Sequence, residues 1–146
     1  HMEDKKINTE ALNNIYKNAH IGLQSISNIS PETLDLDLKE ELLSEYEGYE
    51  KIIGEISGYM SEHSIKPKDV NPMKKAMLWT AIKMNSIDDS KTNIAQLMIK
   101  GTVMGITELT QLINSGENTL DKDVLKFATD LRDLEEKYEE NLKKYL

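Results

Sequence analysis

Cysteine is absent from this 146-residue chain, and arginine occurs once, at Arg132. The absence of cysteine excludes a disulfide framework, thiolate metal ligands and a cysteine nucleophile. A lone arginine, together with a formal net charge of −8, argues against nucleic-acid binding, because phosphate and base-edge recognition favour bidentate guanidinium groups. We therefore expect no nucleic-acid partner.

Long apolar runs are also missing. No apolar stretch approaches the roughly 20 residues that a helix needs to span a bilayer, and the acidic balance disfavours binding to an anionic lipid surface. Histidine is scarce: His1 before Met2 resembles a cloning remnant, which leaves His20 and His63 as candidates for chemistry. Because no signal peptide is visible, the sequence predicts a cytoplasmic protein without a membrane partner.

The apolar residues that are present recur with helical spacing in four segments, at about residues 9–28, 37–62, 91–114 and 122–145. Asn8 or Thr9 is the candidate cap of the first segment. The length suits one domain with a single core. We therefore predict an all-α four-helix bundle, with residues 1–8 as a tag remnant and N-terminal tail and residues 9–146 as the single bundle domain.

The second segment carries the most informative helix face. Its inward positions follow a 4-3-4-3-4 spacing, and they are Leu38, Leu42, Glu45, Tyr49, Ile52 and Ile56. Glu45 thus points into an apolar stripe, where an unpaired charge would be costly. Three roles remain open for it: a metal ligand, a general base, or a structural carboxylate held by a tyrosine hydroxyl. The candidate tyrosines are Tyr16, Tyr49 and Tyr138.

The connection between the second and third segments is long. Pro67 and Pro72 end the second helix, and a separate helix is predicted at about residues 72–86. A single helix from Pro72 to Ser115 would be about 66 Å long and would overhang its neighbours, so we expect a break near residues 85–93, where helix formers are few. A crossover of roughly 26 residues can run the length of a bundle and would leave the second and third helices parallel.

Two helix pairs joined by a helix-containing crossover resemble the ferritin-like four-helix bundles, in particular small bacterial proteins of unknown function. The resemblance covers about residues 9–145 and rests on helix pattern and segment lengths. For the di-iron members, the family plan implies a carboxylate on each helix and Glu-x-x-His on two of them. The positions that match best are Glu45, Glu108 and Glu135, with His20 on the first helix. None of the three glutamates is followed by histidine three residues later.

The candidates outside the second segment also have structural interpretations. Glu108 suits a solvated edge, and the highly charged sequence around Glu135 suggests a surface position. His20 suits either a metal ligand or a half-buried ring whose nitrogens are satisfied. His63, at the predicted end of the second helix, is accounted for by the helix dipole.

Two glycine pairs interrupt predicted helices, Gly54 with Gly58 and Gly101 with Gly105. An interior helix glycine costs about 1 kcal/mol relative to alanine. We therefore expect close approach of another element at these positions, with a small ligand cavity as the alternative.

Methionine and tryptophan cluster in the crossover and the first half of the third helix, at Met73, Met77, Trp79, Met84, Met98 and Met104. Methionine fills irregular gaps, which suits core packing, whereas an exposed cluster would mark a partner or dimer surface.

These observations support two functional hypotheses. The favoured one is a non-enzymatic bundle that acts by binding a protein partner or by homo-oligomerisation and has no cofactor, because no Glu-x-x-His pair, phosphate loop, catalytic triad or zinc spacing is present. The alternative is a carboxylate-rich oxidoreductase or storage protein with a degenerate di-iron-type site. Such a site would hold iron, manganese or zinc at Glu45, Glu108, Glu135 and His20.

Overall fold

The structure, a computed structural model, describes residues 2–68 and 90–146, and all regular structure within these residues is helical. The described elements are α1 (Met2–Ile29), α2 (Leu36–Glu62), α3 (Lys91–Gly116) and α4 (Lys122–Leu142), with short 3₁₀ helices at Ser30–Glu32 and Lys143–Tyr145. The predicted all-α class is confirmed, and four packed helices are consistent with a bundle. None of the described helices is both long enough and apolar enough to cross a membrane.

Local sequence accounts for the starts of α2 and α3. The side chain of Asp35 accepts a hydrogen bond from the Leu38 amide at 3.0 Å, and Ser90 does the same for Asn93 at 3.3 Å. Both residues therefore act as N-caps, which satisfy amides that have no partner inside the helix. Between α1 and α2, the proline in the Ser30–Glu32 helix restricts the backbone and supports a tight connection.

The predicted start of the first helix is wrong. The α1 helix begins at Met2, so Asn8 lies inside it and residues 2–8 are helical. The Asn8 side chain donates to the Asp4 carbonyl at 2.9 Å and accepts from the Asp121 amide at 2.7 Å. Asparagine is common at helix caps, but Asn8 lies inside α1 and joins this helix to the start of α4. A rule that considers only neighbouring residues does not predict such a contact.

Contacts between helices fix their relative directions. The start of α2 lies beside the end of the chain, where the Tyr145 hydroxyl donates to the Asp37 carbonyl at 3.2 Å. Near the end of α2, Tyr59 makes an edge-to-face contact with Phe127 in the first half of α4. The α2 and α4 helices are therefore antiparallel, and so are α3 and α4, which a short turn joins. Consequently α2 and α3 run in the same direction.

The segment that joins α2 to α3 lies outside the described residues. The predicted helix at residues 72–86 and the cluster of Met73, Met77, Trp79 and Met84 fall there. The predicted break near residues 85–93 is confirmed at its described end, because Ser90 is extended and α3 begins at Lys91. Of the two methionines predicted on the third helix, Met98 is buried and Met104 is 57% exposed.

The core is built from one face of each helix. Its fully buried side chains include Leu12, Ile15 and Ile26 of α1, Leu38, Leu42 and Ile56 of α2, Ile94, Leu97 and Leu109 of α3, and Leu131 of α4. Each such side chain contributes about 1.5–3 kcal/mol through the hydrophobic effect. All six predicted inward positions of the second helix are buried, including Glu45. The spacing therefore identified the inner face of α2 correctly.

Candidate functional site

The chemically distinctive part of the molecule is a buried polar layer in the middle of the bundle. We define the central polar layer as Glu45 and Tyr49 of α2 with Glu135 and Tyr138 of α4. Each of the four residues is at most 4% exposed. Within each helix the two residues are three or four positions apart, which places them on the same face, and α2 and α4 present these faces to one another.

Hydrogen bonds cross between the two helices of the layer. The Tyr49 hydroxyl donates to Oε2 of Glu135 at 2.8 Å, and the Tyr138 hydroxyl donates to the backbone carbonyl of Glu45 at 3.3 Å. The two tyrosine rings meet edge to face, with centroids 5.4 Å apart. The predicted tyrosine partner for a buried glutamate therefore exists, but Tyr49 bonds Glu135 and not the carboxyl group of Glu45.

Two glycines make room for the tyrosines. A side chain at Gly22 of α1 would collide with the Tyr49 ring and lie 2.7 Å from its hydroxyl oxygen. A side chain at Gly48 of α2 would collide with the Tyr138 hydroxyl. Sequence reasoning did not single out either glycine, although each sits inside a helix at a cost of about 1 kcal/mol relative to alanine.

Three of the four glycines that the sequence singled out divide between two environments, and the prediction for Gly101 is not tested. At Gly105 of α3 an added Cβ would lie 2.6 Å from Oε1 of Glu135, so the predicted close approach is confirmed there. At Gly54 and Gly58 of α2 no described atom lies within 4 Å of the Cβ position. The prediction of tight packing against these two is therefore wrong for the described part of the chain. Packing under the crossover falls outside that part.

Burial keeps both carboxyl groups of the layer protonated near neutral pH. The pKa of Glu45 is raised to about 10, mainly by loss of water, and the carboxyl groups of Glu41, one turn earlier, and of Glu135 contribute in the same direction. Burial likewise raises the pKa of Glu135 to about 8, against the opposing effect of the Tyr49 hydrogen bond. Both carboxyl groups of the layer are therefore mostly protonated at pH 7.

Two carboxyl oxygens of the layer lack a hydrogen-bond partner within the described part of the chain. Oε2 of Glu45 and Oε1 of Glu135 are buried and have no hydrogen-bond partner among the described residues. The negative charge of Glu108, on the neighbouring α3 helix, adds to the raised pKa of Glu135. The two open oxygens are the groups of the layer that could still bind a proton donor or a cation.

The predicted metal-ligand candidates do not converge. Glu45 and Glu135 are 1% and 2% exposed and interact electrostatically, whereas Glu108 is exposed on α3 as its solvated-edge interpretation predicted. His20 is half-buried against Tyr16, with ring centroids 4.5 Å apart, and burial lowers its pKa. Its Nε2 atom is buried without a partner among the described residues, so the predicted satisfied ring is wrong in that respect.

The surface position predicted for Glu135 is wrong for a clear reason. Its immediate neighbours Asp133 and Glu136 are exposed, but Glu135 shares a 4-3-4 spacing with Leu131, Tyr138 and Leu142, all of which are buried. The helical periodicity of α4 predicts a buried Glu135, whereas the charged residues beside it in sequence suggest an exposed one.

A di-metal centre does not fit the described residues. Among residues 2–68 and 90–146 no group of three or more histidine or acidic side chains is arranged to hold a metal ion. A di-iron-type site needs several carboxylates and histidines around one point. The central polar layer offers two neutral carboxyl groups and two tyrosines instead.

No protein-family model, curated protein or solved structure matches this chain. The resemblance to ferritin-like bundles therefore rests on the helix pattern described above.

Proposed function

We propose that the protein is a cytoplasmic, non-enzymatic helical bundle of the ferritin-like plan that acts by binding another protein. The observation that carries this proposal is the closure of the central polar layer. Its carboxyl groups, the best candidates for chemistry, are at most 2% exposed, and one of them is held by a tyrosine at 2.8 Å. A catalytic group must touch its substrate, and these groups lie where a substrate has no access. The layer serves to position the four helices.

The surface that supports protein binding lies on the outer side of α2. We call Leu34, Leu36 and Leu43 the leucine face; they are 75%, 76% and 57% exposed. Leu36 and Leu43 are two helical turns apart and therefore lie on one side of the helix. Contiguous exposed apolar groups mark interaction surfaces, and Leu36 and Leu43 supply two such groups on one side of α2, with Leu34 just before the helix.

Charge around the leucine face selects the kind of partner. Glu40 and Glu47 are exposed on the same side of α2, and the chain as a whole carries a net charge of −8. Two copies of this face would place carboxylates against carboxylates. A basic segment with apolar side chains would pair with both the leucines and the glutamates. We therefore favour a basic, amphipathic partner over a second copy of the chain.

A designed peptide probe tests this proposal. Fluorescence anisotropy with a labelled lysine–leucine amphipathic helical peptide should show saturable binding that weakens as salt is added. The double variant Leu36→Ser/Leu43→Ser should lose this binding. The matched control is Val103→Ser/Met104→Ser, which removes exposed apolar groups from α3 and should bind normally.

Three results would overturn the proposal. They are no binding of the basic peptide, equal binding of a glutamate–leucine peptide, or a homodimer by light scattering that the Leu36→Ser/Leu43→Ser variant dissociates. The last would identify a second copy as the occupant of the leucine face.

A second candidate function is cation binding by the two buried carboxyl groups. The specific observation in its favour is the pair of open oxygens, Oε2 of Glu45 and Oε1 of Glu135, on facing helices. A bound cation would displace the protons that burial retains and would stabilise the native state by mass action. We expect chelators and divalent metals to leave the melting temperature unchanged. A metal-dependent rise that Glu45→Gln abolishes would establish this second function in place of the first.

A further inference from the structure

The contact between Glu135 of α4 and Gly105 of α3 is the unbonded side of the central polar layer. Oε1 of Glu135 is buried and has no hydrogen-bond partner among residues 2–68 and 90–146. An added Cβ at Gly105 would lie 2.6 Å from this oxygen, so the carboxyl group packs directly on the backbone of α3. Amides inside a helix already bond to carbonyls of the same helix. The backbone of α3 therefore offers no free donor to a carboxylate at this point.

The other side of the Glu135 carboxyl group is filled by an aromatic ring. Oε2 accepts from the Tyr49 hydroxyl at 2.8 Å, and the Tyr49 ring lies against Gly22 of α1. On the α3 side, Gly105 has no side chain and is half-buried, and Glu108 one turn later is exposed. Water would therefore reach the carboxyl group with the least displacement of side chains if α3 moved at Gly105.

Charges around Glu135 do not compensate a negative charge on it. The titratable groups that interact electrostatically with its carboxyl are Glu45 and Tyr49 of α2, Glu108 of α3 and Tyr138 of its own helix. None of these side chains can be positively charged, and α1 approaches the region with Gly22 and Asn18, which do not titrate. Burial raises the pKa of Glu135 to about 8, against the opposing effect of Tyr49, and the charge of Glu108 raises it as well.

We propose that the contact between Glu135 and Gly105 is a pH-sensitive switch in the bundle. When Glu135 gives its proton to hydroxide in the solvent, the centre of α3 moves away from α4, and water enters to solvate the carboxylate. The opening is local, because an ionised acceptor strengthens the hydrogen bond from Tyr49 and keeps α2 and α4 together.

The same movement loosens α3 from α1. The Nδ2 atom of Asn18 donates to the Gly105 carbonyl at 3.1 Å, so a displacement of α3 at Gly105 breaks this bond. The inference goes beyond the proposed protein-binding function and does not depend on it, because the leucine face lies on α2, which stays in place.

Nuclear magnetic resonance of isotope-labelled protein tests the switch. The shift of the carboxyl carbon of Glu135 reports its ionisation, and we expect a midpoint near pH 8. Nuclear Overhauser contacts between the Gly105 α protons and the Glu135 side chain should be present at pH 6 and lost at pH 9. Contacts between Gly22 and the Tyr49 ring should persist at both pH values. All of these protons are bound to carbon, so fast amide exchange at high pH does not affect them.

Two variants identify the group that controls the opening. Glu135→Gln cannot ionise, so the contact between residues 105 and 135 should persist at pH 9. The matched control is Glu136→Gln, which removes an exposed carboxylate from the next position of α4. This control should lose the contact between pH 6 and pH 9 as the parent does.

Four results would overturn the proposal. The first is a Glu135 carboxyl that titrates near its ordinary value of 4.5. The second is a contact between Gly105 and Glu135 that survives ionisation. The third is simultaneous loss of the contacts between Gly22 and Tyr49, which would mean that the whole layer separates. The fourth is an equal loss of the 105–135 contact in Glu135→Gln, which would assign the opening to another group.

Discussion

A carboxyl group that is taken out of water keeps its proton to higher pH, and this ties the stability of the bundle to the ionisation of Glu135. Its pKa rises from an ordinary value near 4.5 to about 8 on folding. Between these two pH values the folded state binds more protons than the unfolded state, so the free energy of unfolding must fall as the pH rises. Each unit of pKa difference corresponds to about 1.4 kcal/mol.

The first prediction concerns Glu135→Gln. The amide keeps the shape of the protonated carboxyl and can still accept the Tyr49 hydrogen bond, but it has no proton to lose. In the parent, the ionisation of Glu135 alone should lower the free energy of unfolding, measured by urea melts, by on the order of 3–5 kcal/mol between about pH 4.5 and 8. The variant should lose less and should be the more stable protein above pH 8. Some slope should remain in the variant, since the pKa of Glu45 is raised to about 10.

Exposed acidic residues provide the control for this measurement. Glu47→Gln removes a carboxylate from the surface of α2, and its pH curve should run parallel to that of the parent. If the curves of Glu135→Gln and the parent are also parallel, Glu135 is ionised in the folded protein and the neutral layer is refuted.

The second prediction isolates the hydrogen bond between Tyr49 and Glu135. Tyr49→Phe keeps the ring against Gly22 but removes the hydroxyl that donates to Oε2 of Glu135, which leaves that buried oxygen without its donor. We expect a loss of about 1–3 kcal/mol in the free energy of unfolding at pH 6. In the background of Glu135→Leu the same change should cost much less, because no acceptor remains. Equal costs in the two backgrounds of this double-mutant cycle would show that the bond contributes nothing.

Whether the sequence reveals a buried glutamate depends on its neighbours. Glu45 was found because Leu42 and Tyr49 flank it at helical spacing. Glu135 has the same kind of spacing on α4, but the exposed charged residues on both sides of it led to the prediction of a surface position. The partner of each carboxyl group could not be predicted at all, because it depends on the relative height of α2 and α4, which no local pattern records.

At the scale of the helix, glycines act in two different ways along the same chain. Gly22, Gly48 and Gly105 lie under side chains from neighbouring helices, whereas Gly54 and Gly58 have no described atom within 4 Å of their Cβ positions. The sequence singled out both glycines of the second kind, but of the first kind it singled out only Gly105. Only the position of the facing helix distinguishes a glycine that makes room from one that merely weakens a helix.

The third prediction compares Gly22→Ala with Gly54→Ala. A methyl group at Gly22 would meet the rigid ring of Tyr49, which is fully buried and bonded to Glu135, so we expect a loss of about 1–3 kcal/mol from overpacking. Gly54→Ala should gain up to about 1 kcal/mol from helix propensity and the reduced entropy of the unfolded chain. Thermal melts of both variants provide the measurement. A neutral Gly22→Ala would mean that the Tyr49 ring can move aside.

At the scale of the whole molecule, α1 connects parts of the chain that are far apart in sequence. Asn8 accepts from the Asp121 amide at the start of α4, and Asn13 accepts from the Lys68 amide after α2, at 2.7 and 2.8 Å. The four described α-helices and their approximate bounds, apart from the start of α1, could be predicted from periodicity. These cross-connections could not, because asparagine inside a helix gives no local indication of a distant partner.

The fourth prediction concerns the bond between α1 and the start of α4. Asn8→Ala removes the acceptor for the Asp121 amide, so the free energy of unfolding should fall by about 1–2 kcal/mol. Amide hydrogen exchange should quicken most at Asp121 and in the first turn of α4. Asn114→Ala, at an exposed position on α3, should change stability by no more than about 0.5 kcal/mol. An unchanged exchange rate at Asp121 would contradict the assignment.

The packing of Tyr138 over Gly48 in the central polar layer also affects which alignment of α2 and α4 the chain adopts on folding. Two helices with leucine-rich faces can slide past each other by one turn, about 5.4 Å, and still bury leucines. If α4 slipped in this way, the Tyr138 hydroxyl would meet Ser44 or Ile52 instead of Gly48. Such a misaligned state would place a Cβ where Gly48 leaves room for the Tyr138 hydroxyl, and it would break the hydrogen bond from Tyr49 to Glu135. The layer thus favours one register between α2 and α4. It raises the energy of misaligned compact states relative to the native state.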